Sequence, residues 1–473
     1  MEDKVYLYIE VKSVIEDTIA AIATALGASG VGIIRISGPD AAKIADQVFE
    51  GKNKIKLRER PKYTISYGTV YDENKTMIDE ALALVMWKPH SFTGEDVIEL
   101  QCHGGTVVLK KVLELILKAG ARLAEPGEFS KRAFLNGRLD LAQAESIMDI
   151  ITAKTETAVK MAMGNLKGDV SKHIKSISGD VLELIAYLEA DIDFPEEDFI
   201  RLNEEEIMRR LTRIETQIKT VLQTYQGGRI IREGLKTALV GRPNAGKSSL
   251  LNAFLQEERA IVTDIPGTTR DTIEECYNLG GIPLILIDTA GIRETHDKIE
   301  RLGVARTKEI VMAADIILYV IDIKEGVKEE DNAFLSGLPP NKVIVLLNKI
   351  DVYDNKVKEQ KIRGQLTGYK VLFVSAQENT GIKQLEQVIS QLFFENGSIN
   401  TDKLYLTNAR QKEKIEKALE ALTSAKTGLL RHIPTDLIEI DMKQAWIYLG
   451  EVTGESVSED VIDEVFSRFC LGK

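Results

Sequence analysis

The chain has 473 residues, too many for one ordinary hydrophobic core, so we expect two or three domains. Hydrophobic residues make up 44% of the sequence and charged residues 28%, which excludes a fibrous or intrinsically disordered protein. The formal net charge of −12 excludes a chain that holds nucleic acid by a broadly basic surface, because phosphate binding needs positive charge.

Membrane insertion and export are not indicated. No run approaches the roughly 20 apolar residues that a membrane helix needs, and the N-terminal residues lack a basic segment followed by an apolar one. The three cysteines, Cys102, Cys276 and Cys470, lie far apart and predict neither a disulfide framework nor a zinc site. We therefore expect a cytoplasmic protein with no membrane segment.

The first part of the chain mixes short β-rich runs with helical pieces. Residues 32–36, 81–86 and 97–101 have strand character, whereas residues 107–118 have helical character. This pattern predicts an α+β domain over residues 1–136, in which Met1 to Val14 have no evident place.

The second part, residues 137–230, is helical in pattern. Asn203, followed by three glutamates, predicts a capped helix start, and Gly227-Gly228 predicts the end of that helix. Strands then alternate with helices over residues 231–396, which predicts a parallel sheet with helices on both faces. Helices return over residues 397–473, so we expect the α/β domain to be inserted into a helical domain.

A phosphate-binding loop opens the α/β domain. Gly241-Arg-Pro-Asn-Ala-Gly-Lys247-Ser248 follows a strand and precedes a helix, as the phosphate-loop pattern requires. Glycines let consecutive backbone N–H groups turn toward the phosphates, and the helix N-terminus adds its dipole. We expect Lys247 to reach the β and γ phosphates and Ser248 to hold magnesium.

Three further loops follow apolar strands in the order that a guanine nucleotide needs. Asp288-Thr-Ala-Gly291 supplies a carboxylate for hydrated magnesium and a backbone approach to the γ-phosphate. Asn348-Lys349-Ile-Asp351 supplies a carboxylate that accepts two hydrogen bonds from guanine but not from adenine. Ser375-Ala376 offers backbone donors to guanine O6, with Gln377 where lysine is usual.

The hydrolytic machinery differs from that of a signalling GTPase. Ile292 follows Gly291 at the position where such a protein places a water-orienting glutamine. Isoleucine makes no hydrogen bond, so another group must orient the attacking water, and another positive charge must offset the charge that develops on the phosphates.

At this point the sequence resembles the MnmE (TrmE) tRNA-modification GTPases. The resemblance is carried by Gly267-Thr-Thr-Arg-Asp271, by Asn244 in the phosphate loop and by Cys470-Leu-Gly-Lys473. It extends to Arg35-Ile-Ser-Gly38, Gly94-Glu-Asp-Val-Ile-Glu99 and the stretch from Gly127 to Asn136, and it spans nearly everything from Thr18 to Lys473.

The resemblance implies a potassium ion in place of an arginine finger. Its ligands would be the Asn244 side chain and backbone oxygens near Thr263, Ile265 and Thr268, and Glu300 would position the attacking water. Thr269 would complete the magnesium shell. The residue types alone also allow Asn244 to be a turn residue and Glu300 an exposed helix carboxylate. The residues predicted to contact the nucleotide and its ions are Asn244, Ala245, Gly246, Lys247, Ser248, Ser249, Thr263, Asp264, Ile265, Pro266, Gly267, Thr268, Thr269, Asp288, Thr289, Ala290, Gly291, Asn348, Lys349, Asp351, Ser375 and Ala376.

A second site is implied in the first domain. By resemblance, Arg35, Glu99 and Arg138 are candidates for binding 5-formyltetrahydrofolate or a related folate, although each alone is typical of a solvated surface charge. Lysine often stands in the family where this chain has Arg138, so the charge is kept but the shape is not. Cys470 and Lys473 are implied to project into the same region, with an inert cysteine as the alternative.

Two other groups of residues have simpler interpretations. His103-Gly-Gly-Thr106 admits a catalytic histidine, but no partner at a nucleophile-like spacing supports one, so a turn and helix cap is favoured. The acidic run from Asp191 to Asp198 lacks the glycine of a calcium loop and contains Pro195, so we interpret it as a helix end.

The resemblance implies a homodimer that hydrolyses GTP and works with the FAD-dependent MnmG, as a heterotetramer, to add a carboxymethylaminomethyl group at C5 of the tRNA wobble uridine. One alternative is a ribosome-assembly GTPase, which would carry a basic RNA-binding module instead of the first domain. The other is a folate-binding regulator in which GTP only sets the dimer state. The sequence does not identify the tRNAs or the coupling between hydrolysis and base chemistry.

Overall fold

The computed structural model describes residues 17–193, 203–256, 260–261, 275–287, 311–352, 356–394, 399–400 and 403–473. The chain divides into two compact units, each built from separated stretches. Unit 1 comprises residues 1–148, 165–218 and 413–473, and unit 2 comprises residues 149–164 and 219–412. The boundaries of the four predicted segments stay a prediction. Residues 149–164, which lie in the predicted helical stretch, group with unit 2.

Unit 1 begins with a seven-stranded sheet in the order β3-β4-β5-β6-β2-β1-β7. Neighbours are antiparallel except β1 and β7, which are parallel. The strands are β1 (Ile19–Ile22), β2 (Ser29–Ser37), β3 (Phe49–Gly51), β4 (Thr64–Tyr71), β5 (Met77–Met86), β6 (Val97–Gly104) and β7 (Arg122–Leu123). The strand character predicted for residues 32–36, 81–86 and 97–101 is confirmed.

Helices cover one face of this sheet because alternate strand residues are apolar there. Ile34, Ile36 and Leu100 are fully buried against Leu109 and Ile116. The helices of this part are α1 (Ala41–Val48), α2 (Thr106–Lys118) and α3 (Glu128–Leu135). The helix predicted for residues 107–118 is therefore confirmed, and the α+β class of the first domain with it.

The helical stretch contains α4 (Leu141–Ile151), α5 (Glu156–Leu166), α6 (Asp169–Asp193), α7 (Glu204–Gln223) and α8 (Tyr225–Glu233). The predicted cap of α7 is present, since Asn203 Oδ1 accepts from the backbone N–H of Glu206 at 2.8 Å. The predicted end at Gly227-Gly228 is wrong, because both glycines lie inside α8. A Cβ on Gly228 would lie 2.3 Å from the carbonyl oxygen of Leu406, so close packing explains that glycine.

Unit 2 is built on a second seven-stranded sheet, in the order β14-β13-β12-β8-β11-β10-β9. The first five strands in that order are parallel, and β10 and β9 add an antiparallel edge. The strands are β8 (Leu235–Gly241), β9 (Ala260–Ile261), β10 (Glu275–Leu279), β11 (Ile282–Leu286), β12 (Ile316–Asp322), β13 (Val343–Asn348) and β14 (Lys370–Val374).

Both faces of the second sheet are covered, as predicted. Along β12, Leu318 and Val320 join the apolar cluster that contains Phe254, whereas Tyr319 and Ile321 join the opposite cluster. The helices are α9 (Lys247–Gln256), α10 (Glu329–Ser336), α11 (Lys356–Gln365) and α12 (Ile382–Phe393). Strand β8 lies between β12 and β11, so the order of the parallel strands reverses at β8, which is where open α/β sheets bind ligands.

The chain returns to unit 1 through α13 (Ala409–Leu430), α14 (Thr435–Thr453) and α15 (Glu459–Ser467). Helix α14 packs along α6, with Met442, Ala445 and Leu449 fully buried. Within the described ranges, no helix is long and apolar enough to cross a membrane.

Candidate nucleotide site and a second charged cluster

The predicted phosphate loop, residues 241–248, connects the carboxyl end of β8 to the first turn of α9. Gly246 has a φ of +95°, and a Cβ there would lie 2.1 Å from Nδ2 of Asn348, so only glycine fits. Asn244 has a φ of +62°, a left-handed angle that asparagine tolerates better than most residues. Ser248 and Ser249 are exposed at the start of α9, where an anion or its metal ion can reach them.

Lys247 folds back over the loop that precedes it. Its Nζ donates to the carbonyl oxygens of Gly241 at 2.7 Å and Arg242 at 2.8 Å. Burial lowers the pKa of this ammonium. The loop thus encloses a positive charge whose present partners are neutral carbonyls, and phosphate oxygens would be stronger acceptors.

Asn348 and Lys349 join the end of β13 to the phosphate loop. Asn348 is 1% exposed, and its Nδ2 donates to the carbonyl oxygen of Ala245 at 3.0 Å. Lys349 donates from Nζ to the carbonyl oxygen of Asn244 at 2.8 Å and to Oδ2 of Asp322 at 2.7 Å. Burial alone would raise the pKa of Asp322, but the bond from Lys349 and its charge lower it.

The Asp351 carboxylate is oriented by the loop after β14. Ser375 donates from Oγ to Oδ1 of Asp351 at 2.6 Å, and the same Oγ accepts from the backbone N–H of Glu378 at 3.1 Å. The Ala376 backbone N–H donates to Oδ1 of Asn348 at 3.2 Å. The structure therefore brings the loops around residues 241–248, 348–351 and 375–376 together on one edge of the sheet.

The second charged cluster lies in unit 1 and begins with Arg35 and Glu99, which face each other on β2 and β6. Their Nε and Oε1 atoms are 2.8 Å apart, and both side chains are largely buried. The Arg35 guanidinium stacks 4.9 Å from the ring centre of Phe92, and that of Arg138 lies 5.1 Å from the same ring.

The segment 470–473 lies against this pair. Arg35 Nη1 donates to the carbonyl oxygen of Gly472 at 3.2 Å, and the Phe129 backbone N–H donates to that of Lys473 at 3.2 Å. A Cβ on Gly472 would lie 2.4 Å from the carbonyl oxygen of Ile22, so the segment approaches β1 as closely as backbone allows. Burial, together with the charge of Arg35, lowers the pKa of Lys473. Cys470 is exposed with a free thiol.

Comparison with known proteins matches nearly the whole chain to one family. The family model for the MnmE helical domain matches residues 141–470, and that for the GTP-binding protein TrmE N-terminus matches residues 18–138. The tRNA modification GTPase MnmE of Desulforamulus reducens is 48% identical over 460 residues, covering 97% of this chain and 100% of that protein. The proteins of the same name from Clostridioides difficile and Bacillus subtilis are 46% and 44% identical over 459 residues, with 97% of this chain and 100% of each relative covered.

The chain belongs to the MnmE (TrmE) family. As an MnmE-family member it is a GTP hydrolase of the tRNA-modification class. Membership also decides against the ribosome-assembly alternative.

Part of the predicted MnmE-family site lies outside the described residues. This holds for the two switch segments and the predicted water-positioning residue, namely Thr263, Asp264, Ile265, Pro266, Gly267, Thr268, Thr269, Asp288, Thr289, Ala290, Gly291 and Glu300. The acidic run up to Asp198 continues past α6 beyond the described part of the chain. The roles of these residues stay predictions.

Sequence reasoning missed two partners in this MnmE-family chain. Asp322 holds Lys349. Its position at the end of the apolar strand β12 could have identified it from the sequence, because a carboxylate at that edge of the sheet lies near the site. The carboxylate partner of His103 was also missed. Asp79 accepts from the His103 backbone N–H at 2.8 Å and lies 2.6 Å from Nδ1. No local spacing reveals that pair, since the sheet brings together residues 24 positions apart.

Proposed function

We propose that this GTPase hydrolyses GTP on the carboxyl edge of the second sheet and uses the cycle in modifying the tRNA wobble uridine. The observation that carries the proposal is the pair of bonds from Asn348 and Lys349 to the phosphate loop. These bonds set the distance between a phosphate-binding backbone and a carboxylate, Asp351, that matches the guanine edge.

Nucleotide binding divides between the two described loops. The Lys247 ammonium exchanges its carbonyl partners for β and γ phosphate oxygens, and the N–H groups of residues 244–249 surround the phosphates. Asp351, held in place by Ser375, would accept from guanine N1 and N2, and the Ala376 backbone N–H, which donates to Asn348 Oδ1 in this structure, would turn to guanine O6. Ser248 and Thr269 would hold Mg²⁺, with Asp288 acting through a bound water.

Hydrolysis needs an oriented water and positive charge at the β–γ bridge. Glu300 would orient the water, Gly291 would contact the γ-phosphate, and Thr289 and Ala290 would place that segment. Magnesium and potassium, when bound, offset the negative charge that develops on the leaving oxygens. The Asn244 amide suits a potassium site together with backbone oxygens of Thr263, Ile265 and Thr268, because its left-handed backbone leaves the side chain exposed beside the phosphate loop.

The second cluster is proposed to bind a folate, 5-formyltetrahydrofolate or a relative. The guanidinium groups of Arg35 and Arg138 lie over the Phe92 ring, and Lys473 lies near enough to Arg35 for its pKa to be lowered by that charge, which suits a flat ligand with carboxylates. Glu99 would accept from the ring N–H groups of such a ligand, and the exposed Cys470 is on the same C-terminal segment as Lys473.

We further propose that the protein works in the cytoplasm as a homodimer and, with the FAD-dependent MnmG, as a heterotetramer that adds a carboxymethylaminomethyl group at C5. The net charge of −12 supports a division of labour in which a basic partner carries most of the tRNA contact.

The direct test is mass analysis of wobble nucleosides in cells that carry Lys247→Ala. We expect loss of the modified uridine with the protein still folded and abundant. Normal modification by a variant that neither binds nor hydrolyses GTP would show that the GTPase site is not required. GTP turnover in potassium and in sodium tests the ion, and equal rates would remove the role of Asn244.

A further inference from the structure

Arg242 is the second residue of the phosphate loop, and its guanidinium contacts the segment between β12 and α10. It donates from all three nitrogens to one neighbouring segment. Nε donates to Oδ1 of Asp331 at 3.1 Å, Nη1 to Oε2 of Glu325 at 2.6 Å and Nη2 to the carbonyl oxygen of Gly326 at 2.8 Å. Charged partners make two of these contacts stronger than neutral hydrogen bonds.

The acceptors of Arg242 are themselves fixed. We call residues 322–331, between the end of β12 and the first turn of α10, the β12 bracket. Asp331 is 0% exposed and accepts from the Tyr319 hydroxyl and from the Lys328 backbone N–H, both at 2.8 Å. Gly326 closes a turn by donating to the carbonyl oxygen of Asp322 at 3.0 Å. A buried, fully bonded carboxylate is a rigid anchor, because any movement would leave its charge unpaired.

The other end of the β12 bracket holds the guanine-binding loop. Asp322 pairs with Lys349 at 2.7 Å, and the Ile323 backbone N–H donates to the carbonyl oxygen of Asn348 at 3.0 Å. One short segment therefore contacts the phosphate loop through Arg242 and the guanine loop through Lys349.

We propose that Arg242 is a positioning residue for nucleotide binding, which holds the phosphate loop at a fixed distance from the guanine loop through the β12 bracket. Arg242 does so without touching the nucleotide. This inference rests on the proposed assignment of residues 241–248 as the phosphate loop. The backbone carbonyl oxygen of Arg242 also accepts from Lys247 Nζ at 2.8 Å, a contact that this ammonium would exchange for phosphate when nucleotide binds. A preformed site binds more tightly because less ordering is needed on binding.

The test compares variants by the affinity and dissociation rate of N-methylanthraniloyl-GDP and by kcat and KM for GTP. We expect Arg242→Ala to weaken GDP binding about tenfold, mainly through faster dissociation, a change that corresponds to about 1.4 kcal/mol. KM should rise by a similar factor, while kcat stays within about threefold, because no bond to the reacting phosphate is lost. The GDP affinity of Arg242→Lys should lie between those of Arg242→Ala and the unaltered protein, since one ammonium replaces the three donor nitrogens of a guanidinium.

Asn332→Ala is the control. It removes an exposed side chain of α10, one residue beyond the β12 bracket, and leaves the three contacts of Arg242 in place. GDP affinity should equal that of the unaltered protein. Glu325→Gln weakens a single contact of Arg242 and should raise the dissociation rate about twofold, which keeps the proposal testable should Arg242→Ala fold poorly.

Two results would overturn the proposal. A lower unfolding temperature with unchanged GDP affinity would make Arg242 merely structural. A large loss of kcat with unchanged GDP affinity would make it a catalytic cation. Lys247→Ala separates the proposal from its premise, because normal GDP binding by that variant would reject the phosphate-loop assignment, whatever Arg242 does.

Discussion

Asn348 bonds to two loops at once, donating from Nδ2 to the carbonyl oxygen of Ala245 at 3.0 Å and accepting at Oδ1 from the Ala376 backbone N–H at 3.2 Å. A single buried amide thus joins the phosphate loop to the loop after β14. The nucleotide site depends on side chains that do not themselves contact phosphate.

Replacing that amide gives the first prediction. Asn348→Ala leaves a buried carbonyl and a backbone N–H without partners, which costs about 1–3 kcal/mol each when buried. In calorimetry, GDP should raise the midpoint temperature of the unfolding transition that contains the nucleotide site. We expect Asn348→Ala to lower that midpoint temperature and to weaken GDP binding. Asn332→Ala, an exposed change in α10, should leave both unaltered. Equal midpoints for the two variants would show that the Asn348 bonds contribute nothing.

Gly246 and Gly368 offer a matched pair. Their φ angles are +95° and +96°, but a Cβ on Gly246 would meet Nδ2 of Asn348 at 2.1 Å, whereas one on Gly368 has nothing within 4 Å. Both alanine variants carry the left-handed strain of about 1–2 kcal/mol. Only Gly246→Ala should abolish GDP binding in a fluorescence titration. Comparable affinities would mean that backbone strain, not the collision, limits this position.

Asp351→Asn should change which base is bound. The amide presents a donor where the carboxylate accepts from guanine, so GTP affinity should fall by about a hundredfold or more. Xanthosine triphosphate carries an oxygen at the guanine N2 position and should bind the variant better than GTP does. Turnover measured with both nucleotides is the check. Continued preference for GTP would place the guanine elsewhere.

Gly472→Ala tests the second cluster independently of the first. The added Cβ would lie 2.4 Å from the carbonyl oxygen of Ile22, so we expect the segment 470–473 to leave β1 and take Lys473 with it. Binding of 5-formyltetrahydrofolate, measured by calorimetry, should weaken while GTP turnover by the isolated protein is kept. Gly137→Ala, which has a φ of +70° and open space, is the control. Undiminished folate binding would remove this segment from the site.

The Asp79–His103 pair predicts a pH-dependent contribution to stability. The hydrogen bond that the His103 ring donates to Asp79 raises the pKa of that ring above its usual 6.5. A raised folded-state pKa stabilises the fold below the unfolded pKa, and that contribution is lost as pH rises through the folded value. The ring is 72% exposed, so the effect on unfolding should be small.

Ring NMR signals, assigned with His103→Gln, should titrate at a higher pH in the unaltered protein than in Asp79→Asn, because the substitution lowers the pKa of the ring. Identical titrations in the two would contradict the pairing of Asp79 with His103.

The sequence predicted the elements that obey local rules. Each of these elements has a hydrophobic pattern in the sequence that matches the face it buries in the structure. They are the strand before Gly241, the helix from Lys247 and the apolar strands β12 and β13. The loops at their carboxyl ends could be placed on one edge, since parallel strands present the same end to that edge.

Contacts fixed by tertiary structure were not predictable. Arg242 and Asp331 are separated by 89 residues, and each alone is typical of a solvated charge. Gly227 and Gly228 follow a helix, as a stop signal would, yet their lack of side chains serves packing against Phe394 and Leu406. Such roles depend on what the rest of the chain places nearby, which one sequence does not specify.

The discontinuous make-up of the two units has a consequence for biogenesis. Unit 1 needs residues 413–473, which follow unit 2 in the chain, so its helices α6 and α7 emerge from the ribosome well before α13 and α14 exist to cover them. Met442 and Leu449 must find apolar partners synthesised more than 200 residues earlier. During translation, the intervening GTPase unit is therefore able to fold while its host is still incomplete, with part of the host's apolar surface awaiting cover.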